Sequence, residues 1–196
     1  MGGATIDSEL TEIRWHGRGG QGAVTSAELI AQAAINEGKY AQGFPSFGPE
    51  RRGAPVMAFN RVNQYRPIRN RAGITKPDVM VILDPSLLSI GNLTSGLKDG
   101  GTIIINTSKP SDAYPELVKK FNLAVIDATR IAREELGVPI VNTTMLGALI
   151  KATGVVSVDS MIEPLKERFG RLAEKNIKAL SRAYSETQVK ELQNIG

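Results

Sequence analysis

The chain has 196 residues, 41% of them hydrophobic and 22% charged, with a net charge of +4; this is the make-up of one globular domain rather than a fibrous or disordered chain. It contains no cysteine and one histidine, which excludes a disulfide framework, a thiolate nucleophile, a cysteine-held iron–sulfur cluster and a histidine-rich metal site. No run of about 18 apolar residues reads as a membrane span. The opening "MGGATIDSELTEIRW" lacks the basic and apolar regions of a signal peptide, so a cytoplasmic protein is expected.

In chain order, "EIRWH" (12–16) reads as a short strand leading directly into a glycine-rich turn. Residues 20–37 then place Val24, Leu29, Ile30, Ala33 and Ala34 on one helical stripe, closed by Gly38. "YAQGFP" (40–45) reads as a second strand, and "SFGPERRGA" (46–54) as a loop. "PVMAFNRVNQYRPI" (55–68) alternates, with Asn63–Gln64 as the expected hairpin turn. "DVMVILDP" (78–85), "GTIIINT" (101–107) and "NLAVIDA" (122–128) are continuous apolar runs, the mark of parallel strands covered on both faces. Helices are expected within 86–98, at 113–121, 128–137, 143–153, 159–169 and 171–185, with Asn142 or Thr143 capping the fourth of these. Strands alternating with helices predict an α/β fold. It is a doubly wound, Rossmann-like and mostly parallel sheet with helices on both faces and a β-hairpin insertion. One domain spans 1–196, its core about 10–185.

The turn "HGRGGQG" places Gly17, Gly19 and Gly22 at G-x-G-x-x-G spacing, between a strand and a helix. In that context backbone N–H groups at a helix N-terminus can cradle a phosphate. A nicotinamide site also needs an acid at the end of the second strand, for the ribose hydroxyls. Here that strand ends in neutral "AQGFPSF", and Glu37 lies before it, at the end of the helix. The pattern therefore argues against NAD. Arg18, inside the turn, is expected to seek an anion or a partner carboxylate. Tight strand–helix packing at an interface is the alternative use of these glycines. Trp15 and His16 read as packing residues, and nothing resembles a nucleophile elbow. Arg51, Arg52, Arg61, Arg66, Arg69 and Arg71 form a lysine-free cluster with no acid among them. That composition favours bidentate pairing with carboxylates or phosphates.

The two segments "HGRGGQGAVTSAELIAQAA" and "GKYAQGFPSFGPERRGAPVMAFNRV", at the distance seen here, closely resemble the gamma subunit of the 2-oxoacid:ferredoxin oxidoreductases, the pyruvate:ferredoxin oxidoreductase (pyruvate synthase) type above all. "KPDVMVILDPSLL", "GTIIINT", "VIDATRIARE" and "VPIVNTTMLGALIKATG" fit as well, so the resemblance runs from about residue 10 to 185. It implies CoA-dependent oxidative decarboxylation of a 2-oxoacid to acyl-CoA, with electrons passed to ferredoxin. It also implies a complex with alpha, beta and delta subunits that carry thiamine diphosphate with magnesium and the [4Fe–4S] clusters. A branched-chain 2-oxoacid enzyme is the alternative within the family, and a stand-alone Rossmann nucleotide-binding protein the alternative outside it. The chain itself, without cysteine and without a G-D-G thiamine diphosphate signature, is expected to hold no catalytic residue and no metal and to be inactive alone. Neither nucleic acid nor membrane is expected as a partner.

Two segments stand as candidates. Gly17, Arg18, Gly19, Gly20, Gln21 and Gly22 form a CoA-binding or interface loop. Phe47, Gly48, Pro49, Glu50, Arg51, Arg52 and Gly53 form a partner-facing loop stiffened by Gly and Pro. Both are expected on one face, at the C-terminal edge of the sheet.

Overall fold

Leu10–Arg18 forms β1, whose residues alternate: Ile13 and Trp15 enter the main hydrophobic core, while Arg14 and His16 meet each other on the opposite face. The computed structural model describes residues 9–46, 53–90 and 93–192. After the glycine turn comes α1 (Ala23–Asn36), then β2 (Tyr40–Pro45) and β3 (Pro55–Asn63). The buried strands β4 (Val79–Ile82), β5 (Thr102–Asn106) and β6 (Asn122–Ile126) follow, with a single helical turn, α2 (Pro115–Val118), before β6. The last part of the chain is α3 (Ala128–Leu136), α4 (Asn142–Thr153), α5 (Ile162–Phe169), α6 (Ala173–Glu186) and a short β7 (Gln188–Lys190).

The sheet has seven strands in the order β2-β3-β1-β4-β5-β6-β7. Strands β1, β4, β5 and β6 are parallel, as their apolar runs predict, and β7 closes the far edge antiparallel to β6. The hairpin is β2–β3, antiparallel and joined through 46–54, with β3 also antiparallel to β1. This corrects the turn expected at Asn63–Gln64. There the Asn63 side-chain oxygen accepts from the Tyr65 and Arg66 N–H groups, an Asx turn that leads the chain off the sheet. β2 runs in the same direction as β1 but lies one strand away, with β3 between them.

Helices cover the two faces unequally. Val79, Val81, Leu83, Ile104, Ala124 and Ile126 pack against the layer of long helices. Met80, Ile82, Ile103, Ile105, Leu123 and Val125 form a smaller core with Leu97, covered by Leu88, Leu93, Leu117 and Phe121. Where one or two short helices were expected within 86–98, the described residues form a 3₁₀ turn, Pro85–Ser89, capped by Asp84. α1 ends as its pattern predicts: Lys39 N–H bonds to the Ala34 carbonyl and Gly38 N–H to that of Ile35, a left-handed glycine termination. α4 begins without a side-chain cap and its N-cap is Val141, so the Asn142 or Thr143 cap is not formed. α4 lies close against α6 because Gly147 lacks a Cβ, which would overlap the Leu180 carbonyl.

Candidate functional site

β1 delivers Gly17 and Arg18 to the C-terminal edge of the sheet, beside the end of β4. From β1 the chain first moves outward to β2 and β3 and then returns to β4 on the other flank. The β1/β4 boundary is therefore the switch point, where doubly wound folds open a ligand crevice. In this chain its own side chains close it. Arg18 Nε lies 3.0 Å from Asp84 Oδ2, and Gln21 Nε2 donates to the same oxygen at 3.1 Å. Arg18 also donates to the Gly53 carbonyl at 3.1 Å and to Ser86 Oγ at 2.9 Å. Gln21 folds back so that its Oε1 accepts the Arg18 N–H at 2.8 Å. Burial pushes the Asp84 carboxyl pKa up, but hydrogen bonds from Ser86 and Gln21 and the Arg18 charge outweigh it and hold it below the usual range.

The anion that Arg18 was expected to seek is thus a carboxylate of its own chain. Nothing in the sequence alone marks Asp84 as the partner of Arg18. "Asp84-Pro85" marks a strand end there, but its position opposite Arg18 follows only from the parallel order of β1 and β4.

Gly20 and Gly22 take left-handed backbone at φ +94° and +82°. A Cβ at Gly22 would stand 2.9 Å from the Asn142 side chain, whereas one at Gly20 would meet nothing within 4 Å. Gly22 therefore lets the start of α1 press against the start of α4. Thr143 in turn bonds Asn176 of α6 at 2.8 Å. α1 has no side-chain cap and no acid in its first turn.

The glycine turn is stitched to the chain entering β3. Gly19 N–H donates to the Ala54 carbonyl at 2.9 Å, and Gly53 N–H to the Gly19 carbonyl at 3.4 Å. Gly53 thus lies against the turn, while Phe47, Gly48, Pro49, Glu50, Arg51 and Arg52 lie outside the described residues. Of the other clustered arginines, Arg61 is buried, paired with Glu12 at 2.8 Å and stacked over Phe44. It is a packing residue rather than a surface one. Arg66 pairs loosely with Glu9, and Arg69 and Arg71 are exposed.

Trp15 is fully buried and donates to Asn60 Oδ1 at 2.8 Å, a packing role. Beside it, on the opposite face, His16 is 5% exposed and accepts from Arg14 Nε at 3.0 Å. Glu37 binds Lys39 at 2.7 Å and accepts the Ser157 N–H. It is held at the far end of α1 and is no ribose reader.

The sequence signature of the pyruvate ferredoxin/flavodoxin oxidoreductase family matches residues 12–186. The chain is 55% identical over 186 residues to the pyruvate/ketoisovalerate oxidoreductases common subunit gamma of Thermococcus kodakarensis, covering 93% of this chain and 100% of that one. It is 52% identical over 180 residues to pyruvate synthase subunit PorC of Methanothermobacter thermautotrophicus, covering 91% and 97%. The crystal structure of the pyruvate oxidoreductase subunit PORC of Thermotoga maritima superimposes with a TM-score of 0.82 at 37% identity, covering 94% of this chain and all of that one. The gamma subunit of a keto/oxoacid ferredoxin oxidoreductase from Geobacter sulfurreducens gives 0.70 at 26% identity, covering 89% and 96%. Matches over nearly the whole length of both chains place the chain in the pyruvate ferredoxin/flavodoxin oxidoreductase family, as a gamma-type subunit of a multi-subunit oxidoreductase.

Proposed function

We propose that this chain is the gamma subunit of a pyruvate:ferredoxin oxidoreductase, and that its glycine turn, with the 47–53 segment, is a docking edge for the large subunits. One observation carries the reading. The β1/β4 crevice is occupied by Arg18, Gln21 and Asp84, so what this edge offers is a shaped surface rather than an open nucleotide cleft. Asp84 places negative charge where a diphosphate would need positive charge. The chain has no cysteine, so it cannot ligate an iron–sulfur cluster through thiolates of its own. In this reading the iron–sulfur clusters and the thiamine diphosphate–magnesium centre belong to the alpha, beta and delta subunits. Ferredoxin receives the electrons of the complex.

Relatives named as a subunit common to pyruvate and ketoisovalerate oxidoreductases support a gamma chain that leaves the choice of 2-oxoacid to its partners. A direct contact with CoA is the second reading. It is favoured by the uncapped N-terminus of α1, whose free N–H groups suit an anion, and opposed by Asp84.

The Arg51→Ala/Arg52→Ala double variant separates the two readings. Docking predicts that less gamma chain co-purifies with the large subunits, with KM for CoA unchanged in the complex that still forms. CoA contact predicts a raised KM for CoA in a fully assembled complex. If neither changes, residues 47–53 have no role at this edge. A wild-type chain that co-purifies with no thiamine enzyme would overturn the gamma-subunit reading itself.

A further inference from the structure

On the less covered face of the sheet, over β1 and β3, lies a cleft of about 740 Å³. Arg14 and His16 line it from β1, Met57 and Phe59 from β3, and Ile90 and Leu93 from the segment after β4. Met57 and Ile90 are 37% and 51% exposed, unusual for large apolar side chains facing a common space. The polar group in this cleft is the unexpected part. Arg14 is half-buried, yet each acceptor it meets is neutral: His16 Nε2 at 3.0 Å, the Ser95 carbonyl at 2.7 Å, the Leu93 carbonyl at 3.2 Å and the Met80 sulfur.

Among the described residues no carboxylate pairs with Arg14, whereas Arg18 and Arg61, on the same strand and its neighbour, each have one. Buried charges are as a rule paired, because an uncompensated one carries its desolvation cost without relief. The surroundings do not supply the missing charge. Residues 73–75 line the cleft between exposed Arg71 and Lys76, and the sequence has no acid between Glu50 and Asp78. Asp78 itself is taken by Lys98 at 2.7 Å. The cleft is thus apolar-walled and cationic at its floor, and the chain that borders it through 73–75 carries only basic charge nearby.

We propose that this cleft receives an acidic side chain carried on an apolar segment of a partner subunit, with Arg14 as its counter-charge. The proposal rests on the gamma-subunit reading and names the chemistry that one partner must present. A planar guanidinium already fixed by two carbonyls and an imidazole is preorganised, so the incoming carboxylate gains its ion pair with little further ordering. Apolar residues flanking that acid would cover Met57 and Ile90.

The test uses the assembled complex and the full chain alone. In the complex, hydrogen exchange in 55–59 and 87–95 should slow at least tenfold relative to the free chain. A zero-length carbodiimide cross-link should join Lys76 to a partner carboxylate. Arg14→Met and, independently, Met57→Glu at the rim should each weaken retention of the gamma chain at least tenfold. Met57→Glu guards against a folding defect at Arg14, since the free Met57→Glu chain should keep its circular dichroism spectrum and Tm. Three results would overturn the proposal: an intact complex with no protection in those segments; Glu50→Gln and Arg14→Met lowering the Tm of the free chain equally and non-additively, which would make this chain's own acid the occupant; or saturable stabilisation of the free chain by isobutyrate, an apolar monocarboxylate, which would make the cleft a small-molecule site. A complex that forms while the cleft stays unprotected refutes this inference alone and leaves the gamma-subunit reading standing.

Discussion

His16 is the sole histidine of the chain, and its position ties stability to pH. Burial first, and then the neighbouring Arg14 charge, depress its pKa from 6.5 to about 4. Its Nε2 accepts from Arg14 Nε, so the imidazole is neutral with its proton on Nδ1. Protonation would remove that acceptor and set a second positive charge against the first. A histidine pKa lower in the folded than in the unfolded chain means that the unfolded state binds the proton more readily. The stabilisation is therefore complete above about pH 6.5 and is lost as the pH falls towards 4. Between pH 7 and pH 5 the loss amounts to about 2 kcal/mol. Asp84 and Glu37 have carboxyl pKa values held low, so their contributions persist across this window and fade only in stronger acid. Urea unfolding at pH 7 and pH 5 should show the difference, and His16→Gln, which retains an acceptor for Arg14, should abolish most of it. An unchanged pH dependence in that variant would refute the assignment to His16.

The start of α1 shows how one element depends on another. Gly22 has left-handed backbone and also touches Asn142 of α4, whereas Gly20 has only the backbone requirement. Gly20→Ala should cost about 1 kcal/mol, the backbone penalty alone. Gly22→Ala adds an overlap with Asn142 that Asn142 can relieve only by moving, and should cost about 2 to 4 kcal/mol in total. Equal losses in urea unfolding would mean that α1 and α4 are not pressed together at this point. How much of this was legible in the sequence differs by element. The runs at 79–83, 103–105 and 123–126 are apolar throughout, so β4, β5 and β6 could be read directly. β2 is short, contains Gly43 and Pro45, and buries none of its residues fully, and its partnership with β3 left too weak a pattern to place the hairpin turn. β7 is three residues long and has no pattern at all. The Gly17–Gly22 turn was visible as spacing, but the Arg18–Asp84 pair was not, because it joins residues 66 apart in the chain through strand order alone. Arg14 reads as an ordinary outward residue of an alternating strand. That its face stays uncovered there is a property of the helix layer, which no local pattern encodes.

Across the molecule, strand order decides what the glycine motif can bind. In a dinucleotide fold the strand next to β1 on the adenosine side is parallel, and an acid at its end reads the ribose. Here that neighbour is β3, antiparallel to β1, so it presents its beginning, Pro55 and Val56, at the edge where the acid would have to stand. β2, which does run the right way, is displaced by one strand to the sheet margin and ends in Phe44 and Pro45. Adjacent strands lie about 4.8 Å apart, so a residue at the end of β2 is roughly 10 Å from β1 instead of one strand away. The crevice between β1 and β4 is in addition bridged by Arg18 and Asp84. In the docking reading, the glycines serve the turn itself and the α1–α4 contact. Titration of the free chain with NADH should therefore give no binding heat below millimolar concentration. Emission from Trp15, the one tryptophan of the chain, fully buried two residues before Gly17, should also stay unchanged. Asp84→Asn should not create NADH binding, because removing the carboxylate leaves the antiparallel β3 where the ribose would be read. Micromolar binding by the wild-type chain would show that the motif works as a nucleotide cradle in spite of its strand order, and would overturn the reading of this edge as a docking surface.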